Sequence, residues 1–252
     1  MLPFPMGRMA MPESADSGDV VQNHAKLKLA FRHDAGGRTL SVECPSFHGG
    51  EGLKGRIHLA KPAMGRMTIA TPFPNAPKAF YYNQKINCMP ASGEIVVGGR
   101  RYAFEPGSAF GVLDWGRGVW TYRNRWYWGS ASGLLDGVPF GFNIGHGFGD
   151  TSAATENMLF YGGAIHKLDQ VRFHLPQGTF DGAPWTFTSN DKRFEMSFVP
   201  IVDRASSVDV KVIRSIQHQV FGRFSGTAVL DDGRTLKIRD YLGFAEEVEN
   251  CW

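Results

Sequence analysis

Apolar residues in this chain recur at every second position, in short runs that end at glycine pairs or Asp-Gly steps. That punctuation dictates an all-β fold. Leu27, Leu29 and Phe31 alternate with Lys26, Lys28 and Ala30, as a half-buried strand requires, because successive side chains leave opposite faces. Gly98-Gly99 stands between runs at 94–97 and 101–104, Asp136-Gly137 between 125–133 and 139–144, and Gly162-Gly163 between 156–161 and 164–168. Such pairs supply the positive φ angles of primed hairpin turns. Asn190-Asp191-Lys192 separates 185–189 from 193–199, and Asp231-Asp232-Gly233 separates 219–230 from 235–239. Further strands are expected at 39–44, 56–60, 67–73 and 80–87, while 204–217 fits a short helix or one more strand. No stretch carries a long apolar pattern of period 3.6. Consecutive hairpins favour an up-and-down meander closing into barrels.

Composition narrows the function classes. The 252 residues include 31 glycines and 13% aromatic side chains, which fits many short strands whose rings face inward. The net charge of +3 is small and not concentrated in blocks, which argues against nucleic-acid binding. No apolar run reaches the ~18 residues that a membrane helix needs, and the prolines of Met-Leu-Pro-Phe-Pro-Met break up any signal-peptide core. Cys44, Cys88 and Cys251 are an odd, widely spaced set without a Cys-x-x-Cys and read as reduced cysteines. These features point to a cytoplasmic protein without stable membrane insertion.

One stretch stands apart. Residues 114–128, Asp-Trp-Gly-Arg-Gly-Val-Trp-Thr-Tyr-Arg-Asn-Arg-Trp-Tyr-Trp, interleave one carboxylate, three guanidinium groups and six aromatic rings. Rings and charges this dense are costly to bury unless the charges are paired or stacked. Trp115 over Arg117, or Trp126 with Arg125, fits a barrel-closing cation–π stack. Asp114 beside an aromatic wall fits a proton donor whose pKa is raised by desolvation. Its alternative is a structural ion pair with Arg117, reached through a bulge at Gly116.

The same run, with Thr155-Glu-Asn-Met-Leu, His218-Gln-Val-Phe-Gly-Arg-Phe-Ser-Gly and Gly243-Phe-Ala-Glu-Glu, resembles the domain-of-unknown-function family numbered 2804. That family is distantly similar to lipocalin-like proteins, among them carotenoid hydratases and cyclases of polyene chains. The resemblance runs from about Leu2 to Trp252 and implies two lipocalin-like (calycin-type) antiparallel barrels in tandem. Family members carry a further N-terminal portion with its own Trp- and Arg-rich strand, so the first barrel is expected to be incomplete. The expected layout is an irregular lead-in at 1–23, a partial barrel at 24–110 and a second barrel at 111–252.

Two function classes follow. One is a binding module that holds an apolar small molecule (a lipid, polyene or isoprenoid-like compound) in a barrel cavity. Trp115, Arg117, Trp126 and Trp128 would line it, and Asn143 and Asn157 would orient a polar group. The other is a hydratase, isomerase or cyclase in the same cavity, working by acid catalysis with Asp114, Tyr122, Glu156 and His218 as candidate catalytic groups and ring faces stabilising a cation. Glu156 and Asn157 are expected on a strand. His146 and His218 are the histidines best placed for proton transfer. His24, His33, His48, His58, His166 and His174 lack the spacing of a zinc site, and no cofactor or metal is expected. The Gly-Phe repeats near 141–149 precede no helix that could cradle a phosphate. Ser130 and Ser132 lack the strand–turn–helix of a nucleophile elbow. Stacking of single-stranded nucleic acid or of sugars would need the rings open to solvent, which separates those readings from a closed apolar cavity.

Overall fold

The computed structural model describes residues 11–210 and 212–251. Among them there is no α-helix, and one 3-10 turn, Phe47–Gly50. The rest is built of antiparallel strands: β1 (Val20–His24), β2 (Leu27–Asp34), β3 (Gly37–Cys44), β4 (Leu53–Ala60), β5 (Met67–Pro72), β6 (Phe80–Val97), β7 (Arg100–Phe104) and β8 (Phe110–Val119). There follow β9 (Arg123–Leu135), β10 (Val138–His146), β11 (Met158–Tyr161), β12 (Ala164–Lys167), β13 (Val171–His174), β14 (Trp185–Ser189), β15 (Phe194–Asp209), β16 (Arg214–Val229) and β17 (Thr235–Cys251). The fold is all-β, with two curled antiparallel half-barrel sheets, consistent with tandem barrels.

The hairpins fall where the turn pairs stand. Val97 pairs with Arg100, Leu135 with Val138 and Tyr161 with Ala164. Asp136 and Gly137 take φ of 51° and 80°, the left-handed angles that a primed turn needs. Two expectations need correction and one open alternative is decided. Residues 80–87 and 94–97 belong to one continuous strand, β6, which passes through Pro90. Of the two alternatives for 204–217 strand is the one present, because 204–209 end β15 and 214–217 begin β16, paired from Arg204↔Gln219 to Asp209↔Arg214. Strand β11 begins at Met158, so Glu156 and Asn157 lie in the preceding connection.

The chain divides into two compact units, Met1–Ala63 with Met89–Gly111, and Met64–Cys88 with Val112–Trp252. The first contains β1–β4, the C-terminal part of β6, and β7. Its strands pair in the order β1-β2-β3-β4-β6, and β7 adds to β6. The second contains a nine-stranded sheet in the order β12-β11-β10-β9-β17-β16-β15-β14-β13. The order is a meander with one jump, because β9 pairs with the last strand, β17, over the register Gly243↔Ala131 to Cys251↔Arg123. Its concave side buries Phe140, Phe142, Phe160, Trp185, Phe187, Phe194, Phe198 and Phe224. Phe142 meets Phe194 and Phe224 edge-on at 5.0 and 4.9 Å, an arrangement worth about 0.5–1.5 kcal/mol per pair beyond burial. The Tyr241 hydroxyl donates to the Phe140 carbonyl at 2.7 Å and Trp185 Nε1 to the Phe180 carbonyl at 2.9 Å, so both polar tips are satisfied.

Candidate functional site

Beside that core, still within the second unit, two rows of alternate residues face one another. On the N-terminal part of β6 they are Tyr81, Asn83, Lys85 and Asn87; on β9 they are Asn124, Trp126, Trp128, Ser130 and Ser132. Period two places each row on one face of its strand. The inner end of the pairing is polar and closed, because Asn87 Nδ2 donates to Ser130 Oγ at 2.8 Å and to the Phe142 carbonyl at 3.1 Å. Towards the outer end the rows part around a cavity of about 220 Å³, completed by Asp114, Trp120, Phe148, Glu156 and Glu246.

Its walls are aromatic. Phe148 stands edge-on to Tyr81 at 4.8 Å, to Trp126 at 5.2 Å and to Trp120 at 6.0 Å. Gly147 and Gly149, with φ of 93° and 80°, let the loop after β10 turn tightly enough to present that ring.

Its polar groups gather around one buried cation. Lys85 Nζ lies 2.7 Å from Asp114 Oδ1 and 3.8 Å from the centroid of Trp128. The lysine side chain is almost wholly buried, whereas that of Asp114 is 38% exposed. A buried ammonium needs such pairing to stay charged, and Trp128 adds the attraction of its ring face. Glu156 Oε2 accepts long hydrogen bonds from Asn83 and Asn143, at 3.5 and 3.4 Å. Burial pushes its carboxyl above the ordinary range, the positive charge of Lys85 only partly opposing. Gly145 makes room for this carboxyl, since a Cβ there would collide with Oε1. Glu246 accepts from Trp126 Nε1 and Gln219 Nε2, each at 2.9 Å. Burial raises its pKa too, against those two bonds. Desolvation, then the charges of Asp114 and Glu156, hold the Tyr81 hydroxyl far above its usual pKa, so it stays a donor.

Of the residues singled out from the sequence, Asp114, Trp126, Trp128 and Glu156 line this cavity. Asn143 stands just behind it, accepting from Trp128 Nε1 at 2.7 Å and donating to the Glu156 carbonyl at 2.9 Å, so it positions both. The others lie elsewhere. Asn157 ties the connection before β11, accepting from Gly145 N and donating to the Asp169 carbonyl, both at 2.7 Å. Trp115 is buried edge-on to Tyr82 at 5.9 Å. Arg117 is exposed, and the ion-pair partner of Asp114 is Lys85 on β6. Tyr122 is exposed and donates to the Val212 carbonyl at 2.6 Å. His218 pairs with Asp203 at 2.7 Å and stacks on Phe180 at 3.8 Å. His146 stacks on Tyr127 at 4.7 Å, and burial, then Arg172, lowers its pKa.

Sequence reasoning passed over Lys85, Asn83, Tyr81, Phe148 and Glu246. The alternation of 81, 83 and 85 on one strand was a usable signal, but nothing local says which strand they face.

A family model described as "Domain of unknown function (DUF2804)" matches residues 1–252. The chain belongs to that family. No curated protein matches this DUF2804 member. Among solved structures it is similar to kievitone hydratase from Nectria haematococca, with a TM-score of 0.50 and 9% identity over 93% of this chain and 84% of that one. It is also similar to a protein assigned as AttH from Nitrosomonas europaea, with a TM-score of 0.52 and 14% identity over 87% of this chain and 67% of that one. At such identities the likeness concerns the fold. No helix of the described residues is long and apolar enough to cross a membrane.

Proposed function

We propose that this DUF2804 protein binds an apolar small molecule in the aromatic cavity of its second unit, with a polar end of the ligand directed at the carboxyl cluster. One observation carries this reading: the rings of Tyr81, Trp120, Trp126 and Phe148 line a space, open to solvent at Trp120, whose polar groups collect around Lys85. Binding sites for small molecules have this composition, broad apolar walls with a few convergent polar groups. Native mass spectrometry of the purified chain tests it. A bound apolar molecule that is lost when Trp126 is changed to Ala is the expected result. A chain that is always empty and binds no apolar probe would refute the reading.

The raised carboxyl of Glu156 favours a second reading, acid catalysis of water addition to an alkene. Similarity in fold to an enzyme named kievitone hydratase is in keeping with it. Glu156 would give its proton to one alkene carbon, leaving a carbocation at the other. The faces of Trp120 and Trp126 and the nearby carboxylates would stabilise that cation. Water would then add, and its surplus proton would return to the Glu156 carboxylate, restoring the acid. Asp114, paired with Lys85, is an acceptor in this scheme and keeps the ammonium in place. Geraniol and linalool incubated with the protein in ¹⁸O-water provide the test. Incorporation of label at carbon that is lost in Glu156→Gln is expected, and equal incorporation by that variant would exclude Glu156 as the donor.

A further inference from the structure

The cavity holds three carboxyl groups, Asp114, Glu156 and Glu246, against one lysine. Lys85 is committed, with Asp114 at 2.7 Å and the Trp128 ring beneath it. Among the described residues neither Glu156 nor Glu246 has a close ion pair, although Lys85 and Lys167 both act on Glu156, and the faces of Trp120, Trp126 and Tyr81 stand beside them. Asn83 supplies an independent sign. It lines the cavity and is 1% exposed, and its Oδ1 has no hydrogen-bond partner among the described residues. An orphaned acceptor at that depth is expensive, and a donor arriving with a ligand would satisfy it.

We infer that the polar end of the ligand is a protonated amine, whose N–H meets Asn83 Oδ1 and the Glu156 carboxylate while its alkyl groups pack on the tryptophan and tyrosine faces. A neutral alcohol would satisfy Asn83 but would do nothing to favour ionisation of the buried carboxyls, and an anion would oppose it. An alkylammonium ion does both, and ring faces attract such cations. The inference rests on the cavity being a ligand site and does not need catalysis there.

The charged and titratable groups that face Glu156 are Lys85, Asp114, Lys167 and Tyr81. Lys85 and Lys167 favour its ionised form, whereas burial and Asp114 oppose it. An ammonium ligand would add to the first set and draw the proton off Glu156. Binding would therefore weaken as pH falls and Glu156 regains its proton, over a range in which the amine itself stays charged.

The test compares two probes of the same shape, N,N-dimethylbenzylamine and isobutylbenzene, by titration calorimetry and cavity tryptophan fluorescence on the full chain. The amine should bind at least about tenfold more tightly than its hydrocarbon isostere. Glu156→Gln should remove that preference, so that the amine and the hydrocarbon bind with similar affinity. If the variant does not fold, the unsubstituted protein still decides, because amine affinity must drop on acidification while hydrocarbon affinity stays level. Equal affinities, or a hydrocarbon that binds better, would overturn the inference and leave the apolar-cavity reading standing. Binding of neither probe would overturn both.

Discussion

In the second unit the side chains withdrawn from solvent are large rings, seven phenylalanines and Trp185 among the fully buried. In the first, the buried apolar residues among those described are Ala15, Cys44, Leu59, Met89 and Ala91, and its Phe31 and Phe47 are exposed. Both units alternate and turn in the same way, so strand grammar alone does not separate them. What differs is the volume of the inward-facing side chains. The concave groove of the first unit is larger, about 630 Å³, but its lining mixes Val21, Leu29, Val42 and Val96 with Lys28, Glu43, Lys54, Arg56 and Glu94. Lys28 and Glu43 already pair across it at 3.2 Å. Size therefore does not mark a binding site here. The smaller cavity has rings to bury a ligand against and acidic groups beside them, whereas the larger groove offers short aliphatic side chains among charged ones.

The largest expected effect attacks the contrast between the two interiors. Phe142→Ala empties the centre of the phenylalanine cluster and should cost about 3–5 kcal/mol, whereas Leu59→Ala, at the edge of a thinner core, should cost about 2 kcal/mol. Urea unfolding followed by tryptophan fluorescence and by far-ultraviolet circular dichroism checks this, with the two probes reporting whether the units melt together. If Leu59→Ala proves as costly as Phe142→Ala, the first unit has a core as demanding as the second and the comparison fails.

Next in size is Asp114→Asn. Removing one partner of a buried pair can cost about 3–5 kcal/mol. Asp114 is more than a third exposed, and Trp128, Glu156 and Glu246 remain near Lys85, so about 1–3 kcal/mol is expected after solvent screening. A drop in melting temperature with ligand affinity nearly intact supports a positioning role for Asp114. An unchanged melting temperature with abolished turnover would make it the proton donor instead.

How far the sequence reached follows from the range over which each signal acts. Turn pairs and alternation act over a few residues, and the hairpins at Gly98-Gly99, Asp136-Gly137 and Gly162-Gly163 were legible for that reason. Strand β6 was not, because Pro90 and Gly93 resemble a break. The chain absorbs them with positive φ at Cys88 (58°) and Gly93 (124°) and continues as one strand. The aromatic half of the site was visible in residues 114–128, and Glu156 was visible as a candidate acid. The cation that organises them was not. Lys85 lies outside that run, and only the facing of β6 and β9 brings it onto Trp128. An ion pair between strands distant in sequence leaves no local periodicity, which is why Arg117 looked like the natural partner of Asp114.

A pH experiment sharpens the comparison from the side of the acidic cavity. An unfolded glutamate titrates near ~4.3, whereas burial raises the folded pKa of both Glu156 and Glu246. Between the two values the folded protein keeps protons that the unfolded chain has released. Stability is then fullest below the unfolded pKa and declines as pH rises through the raised one. Urea midpoints measured from acid to mildly alkaline pH should show that decline, and Glu156→Gln should flatten it. A midpoint that rises over the same window would mean that these carboxyls are ionised and well paired in the folded state, and the contrast with the first unit's paired charges would disappear.

The smallest effect concerns Tyr122, which belongs by sequence to the aromatic run but not to the cavity. Its ring is about half exposed and its hydroxyl donates to the Val212 carbonyl at 2.6 Å. An exposed hydrogen bond exchanges almost evenly with water, so Tyr122→Phe should cost about 0.5 kcal/mol or less. It should leave probe binding in the cavity unchanged, whereas Tyr81→Phe, a substitution in the cavity wall, removes a donor that no water readily replaces. Parallel titrations of the two variants with the same amine probe read the difference directly. If Tyr122→Phe weakens binding as much as Tyr81→Phe does, the site extends over the exposed end of the run, and Tyr122 belongs to the cavity wall and not to the surface.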